Sequence, residues 1–118
     1  MMGDDPIFVG VARLVLRIPG ARTLKDRRQV VGSLLDRIRH RFPVSAHPVD
    51  TLDHPGRQII VCTTAGNDGA VLRSNLDKIV AFANSNGGLL VGSVDVDVFR
   101  WHAPDDIRLS PADPSDPA

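Results

Sequence analysis

The run IFVGVARLVLRI, residues 7–18, narrows what this chain can fold into more than any other stretch. In its second half Leu14, Leu16 and Ile18 alternate with Arg13, Val15 and Arg17, a period of two that suits a strand and not a helix. Pro19-Gly20 breaks the run, and the period then changes. Leu24, Val31, Leu34, Leu35, Ile38 and Phe42 recur at helical spacing until Pro43 stops them. Thr23 and Asp26 stand where a capping box would satisfy the first free N–H groups of that helix.

The rest of the chain continues in the same alternation of periods. Val44 to Val49 suits a short strand, DTLDHPGR a polar turn, and IIVCTTA, with its β-branched run, a central strand, so the three make a hairpin. Asn67-Asp68 is a plausible cap for a second helix, whose stripe Leu72, Leu76, Ile79, Val80 and Ala83 ends at Gly87-Gly88. In LLVGSVDVDVFRW, Val94, Val96 and Val98 point inward while Ser93, Asp95, Asp97, Phe99 and Trp101 point outward. The order β-α-β-β-α-β predicts an α+β sandwich: a four-stranded antiparallel sheet with two helices on one face and the other face open. We expect a flexible N-terminus at 1–6, one domain at 7–102, and a disordered acidic, Pro-rich tail at 103–118.

Charge is balanced overall but not locally. The 14 basic residues cancel the 14 acidic ones, so the whole molecule has no net pull on nucleic acid or membrane. Between Arg22 and Phe42, however, seven cations (Arg22, Lys25, Arg27, Arg28, Arg37, Arg39, Arg41) face two carboxylates, Asp26 and Asp36, a local charge of +5. All the acidic residues are Asp and nearly all the basic ones Arg, which reads as compositional bias. Cys62, the one cysteine, excludes an internal disulfide and favours a reducing, cytoplasmic setting. The acidic start MMGDDP does not resemble a signal peptide, and no apolar run is long enough for a membrane span.

Two stretches, PGARTLKDRRQVVGSLLDRIRHRFPVS and AGNDGAVLRSNLDKIVAF, resemble the YlxP-like bacterial family, domain of unknown function 503, over residues 7 to 99. That resemblance implies a ferredoxin-like fold in the element order above. It brings no settled activity, but genes of the family often lie beside those for translation initiation and ribosome maturation factors. Many members carry QDxWQRA before the third strand; this chain has LDHPGRQII there, with Pro55-Gly56 in place of the Gln and Trp.

Two surfaces are candidates for function. On the first helix, Lys25, Arg28 and Arg39 fall on one flank of the apolar stripe with Gly32 leaving a gap between them, and Arg37 and Arg41 fall on the other. Together with Arg22 they form a set able to straddle phosphates, for which arginine is well suited. The alternative is that their stems shield the core edge while their heads stay in water. On the open sheet face, Val9, Val11, Val15, Phe99 and Trp101 share space with Arg13, Arg17, Asp95 and Asp97, which suggests a partner such as a second copy.

Other motifs are weaker. His47, Asp50, Asp53 and His54 gather in the hairpin segment without the spacing of an established metal site, and the GNDG at Gly66 to Gly69 imitates the GXXG loop of KH domains but includes an aspartate. Cys62, in an apolar strand, reads as an inert buried thiol. The chain shows no P-loop, dinucleotide fingerprint, nucleophile elbow or HExxH. The expectation is a non-enzymatic accessory factor, without metal or cofactor, that binds ribosomal RNA or a ribosomal subunit through the basic first helix; DNA and membrane are not expected. The alternative is a homodimeric interaction or regulatory module working through the open sheet face.

Overall fold

The computed structural model describes residues 5–49 and 54–102. Asp50, Asp53, residues 1–4 of the expected N-terminal segment and the tail at 103–118 lie outside the described residues.

The elements follow the order β1 (Ile7–Arg17), α1 (Leu24–Arg41), β2 (Ser45–Val49), β3 (Arg57–Gly66), α2 (Gly69–Asn84) and β4 (Leu90–Trp101). The strands form one sheet in the order β2-β3-β1-β4, with every neighbouring pair antiparallel. Both helices pack on one face, which makes this the ferredoxin-like α+β fold. β1 is an inner strand paired along nearly its whole length on both sides, with Leu14 opposite Ile60 in β3 and Val94 in β4.

Alternation decides which side of the sheet each residue serves. Ala12, Leu14 and Leu16 of β1, Ile60 and Cys62 of β3 and Ala46 of β2 turn toward the helices, and all are fully buried. Val31, Leu34, Leu35 and Ile38 from α1 and Leu76, Ile79 and Ala83 from α2 close over them, with Ile18 and Leu89. Burying one such Leu or Ile side chain contributes roughly 1.5 to 3 kcal/mol. Gly10 lets α2 come close: a Cβ there would lie 2.9 Å from Leu76 Cδ1 and 3.2 Å from Thr64 Cγ2.

The helix ends match their sequence signals. Asp26 N–H donates to Thr23 Oγ1 at 3.1 Å, while Asp26 Oδ2 accepts from Thr23 N–H at 3.2 Å, completing the capping box. At the other end Phe42 N–H donates to Ile38 O and Pro43 cannot continue the ladder. After α2 the chain turns through Gly88 at φ +88, a left-handed conformation that glycine adopts without strain.

One feature of β4 departs from simple alternation. Val15 opposes Ser93 but Leu16 opposes Val91, so Gly92 is an extra residue, a β-bulge. The bulge reverses the phase of the strand, setting Val91 against the core and leaving Leu90 opposite Arg17 on the open side, 60% exposed. Val94, expected inward, does share the helix side with Leu14, but it lies on an edge strand and remains 37% exposed.

Candidate nucleic-acid interface

α1 presents its cations unequally because a helix places residues by angle and not by sequence distance. Arg27 lies four residues before Val31 and turns inward; it is buried, and its Nη1 donates to His54 O at 3.1 Å and Arg57 O at 3.4 Å. It fastens the helix to the start of β3, so one of the seven cations of the segment is a structural tie. The other six, Arg22, Lys25, Arg28, Arg37, Arg39 and Arg41, are all exposed.

These six differ in what they already hold. Arg39 bridges α1 to β2, donating from Nε and Nη2 to Ala46 O at 3.0 and 2.6 Å and pairing with Asp36 at 3.3 Å. Arg37 donates from Nη2 to Ser33 Oγ at 3.0 Å and from Nη1 to Asn86 Oδ1 beyond α2. The Arg41 guanidinium lies 4.9 Å from the centroid of the Phe82 ring. Arg22 precedes the Thr23 cap, Lys25 and Arg28 stand on the first turns, and the Cβ position of Gly32 opens onto empty space beyond them.

Of the two carboxylates of the segment, one is spent on the helix cap and the other pairs with a single cation. Asp26 Oδ2 accepts the Arg22 and Thr23 backbone N–H groups, and those bonds hold its carboxyl below the ordinary value of 3.8. Asp36 is turned to Arg39.

Phe82 is the residue that sequence reasoning missed. Its ring sits between Arg41 and Phe42, the latter in an edge-on arrangement at 5.8 Å, and gives the basic helix an aromatic neighbour. Nothing in a single sequence links positions so far apart.

The open sheet face gathers the expected set. Val9 opposes Phe99, Val11 opposes Asp97, Arg13 opposes Asp95 and Ile7 opposes Trp101. Ile7, Phe99 and Trp101 are 44, 42 and 47% exposed, whereas Val15, expected on this surface, is only 6% exposed because it sits on the central strand between Ile59 and Ser93. Arg13 and Asp95 pair at 3.4 Å on the exposed surface, which is worth little. Arg17 faces Arg57 across the strands, a like-charge pair.

The weaker motifs resolve into structural roles. Asp68 of GNDG caps α2, accepting from Ala70 and Val71 N–H, so the likeness to a phosphate-gripping loop is a helix cap. His47 is on β2 and His54 Nδ1 accepts from Gly56 N–H. Among the described residues no three His, Cys, Asp or Glu side chains gather as metal ligands. Cys62 is fully buried, and loss of solvation pushes its thiol from 9.0 up to about 11, slightly offset by the Arg39 charge. Among the described residues no helix is long and apolar enough to cross a membrane.

The fold and these surfaces define a class: an α+β protein with an open four-stranded sheet and a basic helical layer. Residues 9–96 match the family described as protein of unknown function DUF503, and the chain belongs to that family. No curated protein matches the chain.

Proposed function

We propose that this chain is a non-enzymatic accessory factor that binds RNA, and through RNA the ribosome, by phosphate contacts from the exposed cations of α1. The observation that carries this reading is that all six arginines and lysines named above stay exposed while Asp26 and Asp36 are engaged with a helix cap and with Arg39. With 18 residues α1 spans about 27 Å, room for several phosphates along its length. Such contacts position a strand without reading bases, which fits a partner recognised by its backbone. The single cysteine fits a cytoplasmic protein.

The test is binding of the full chain to ribosomal RNA and ribosomal subunits beside a Lys25→Glu/Arg28→Glu variant. These two are chosen because Arg39 and Arg27 also hold the fold together. Binding that weakens with salt and is lost in the variant supports the reading; no binding at low salt contradicts it.

A second reading is favoured by the exposure of Ile7, Phe99 and Trp101 on the open face: a homodimeric interaction module. Trp101 is the only tryptophan, so dimerisation through this face shifts its emission to the blue as concentration rises, and the dimer persists at high salt. A monomer with unchanged emission sets that reading aside.

A further inference from the structure

We propose that the groove between the C-terminal half of α1 and α2 is a binding site for an unpaired nucleotide of an RNA strand, its base stacked at the Arg41–Phe82 pair and its phosphates held by Arg37 and Lys78. The proposal rests on the RNA reading above and names where, and in which form, the strand is held. Arg37, His40, Arg41 and Phe82 line a hollow of about 480 Å³, and Arg41, Phe42, Lys78, Ala81, Phe82 and Ser85 line a second of about 400 Å³. Arg41 and Phe82 belong to both, so the two hollows adjoin at this pair. Both hollows are open to solvent, which suits a group laid on the surface as part of a longer strand.

The groups in this groove are set in position before any ligand arrives. Arg37 is held by Ser33 and Asn86. His40 Nδ1 lies 3.1 Å from Asp36 O, a carbonyl that can only accept, so Nδ1 carries the proton and Nε2 is left to accept from a ribose hydroxyl or a base N–H. Phe42 backs the Phe82 ring from the side. No carboxylate lines either hollow, and Asp77, next to Lys78, is turned to Arg73 at 3.8 Å.

Basic residues in a last helical turn also suit the helix dipole, but that demand is small. The C-terminus of a helix carries about half a negative charge, whereas Arg37 and Arg41 supply two positive charges to the groove and Lys78 a third from another helix. The surplus has no anion among the groove-lining residues. Guanidinium planes and aromatic rings are the platforms on which unpaired bases stack, while paired bases keep their faces hidden. The groove therefore selects single strands over duplex.

The test measures binding of the full chain to a labelled oligouridylate of about 12 nucleotides, a length within the span that single-strand binders cover, and to an RNA duplex of the same length. The chain is expected to prefer the single strand. Phe82→Leu, which keeps apolar volume, and Arg41→Ala should each weaken single-strand binding about tenfold, and Phe82→Leu should do so without changing the salt slope, since it removes no charge. Ala81 is exposed, so Ala81→Asp places a carboxylate at the rim without disturbing the core and should weaken binding too. Wild-type affinity in folded Arg41→Ala and Ala81→Asp, or equal affinity for duplex, overturns the groove. If Lys25→Glu/Arg28→Glu alone then abolishes binding, the basic-helix reading survives without it; absence of any binding at low salt overturns both.

Discussion

Arg27 and Arg28 are neighbours in the chain with opposite fates: one is buried against the carbonyls of His54 and Arg57, the other stands exposed. The sequence showed a +5 segment, yet the inward turn of Arg27 was hidden because an arginine on an apolar stripe looks like an interruption unless a carbonyl is known to wait for it. Cys62 was legible, since an apolar β-branched run gives a thiol no cation or base to activate it. Its raised value has a consequence at high pH. The folded state holds the proton that the unfolded chain releases near 9.0, so the contribution is fully present below pH 9.0 and is lost as pH rises through about 11. The difference is on the order of 2 kcal/mol. Urea unfolding from pH 8 to about 11 should show stability falling in the unaltered chain and a flatter profile in Cys62→Ala; equal slopes would contradict this account of the thiol.

At the scale of elements, α1 was the easiest to see and β4 the hardest. Thr23, Asp26 and the spaced apolar stripe mark α1 by local chemistry alone, and the capping box is where the spacing put it. Thr23→Ala leaves Asp26 N–H without its side-chain acceptor and should lower stability by about 1 kcal/mol in urea unfolding; an unchanged midpoint would mean that the cap contributes nothing to the fold. In β4 the VDVDVF alternation was legible, but the bulge at Gly92 was not, because the extra residue is defined only by what β1 sets opposite it. The same limit explains Val15. Its alternation gave the correct face, but burial depends on the strands beside it, and the central position of β1 is a property of the sheet.

For the whole molecule, the sheet has a helix side holding the core and an open side with half-exposed aromatics, while α1 carries the exposed cations outward from the helix layer. The fold was legible because each segment kept one period between clear breaks, and the element order leaves few ways to stack two helices on four strands. The candidate surface was legible only in part. Single residues of α1 could be set on a wheel, but the meeting of Arg41 with Phe82 and of Arg37 with Asn86 depends on how α2 and its following turn lie against α1. The central claim is that the exposed cations of α1 hold RNA by its phosphates, and its most direct test is the salt dependence of single-strand RNA binding. Plotted as log K against log salt, the slope should become shallower by roughly 0.7 for each phosphate contact removed, so Lys25→Ala/Arg28→Ala should flatten it by about 1.4 with the fold intact. A variant that keeps the full slope and affinity would contradict the claim and place the working surface elsewhere.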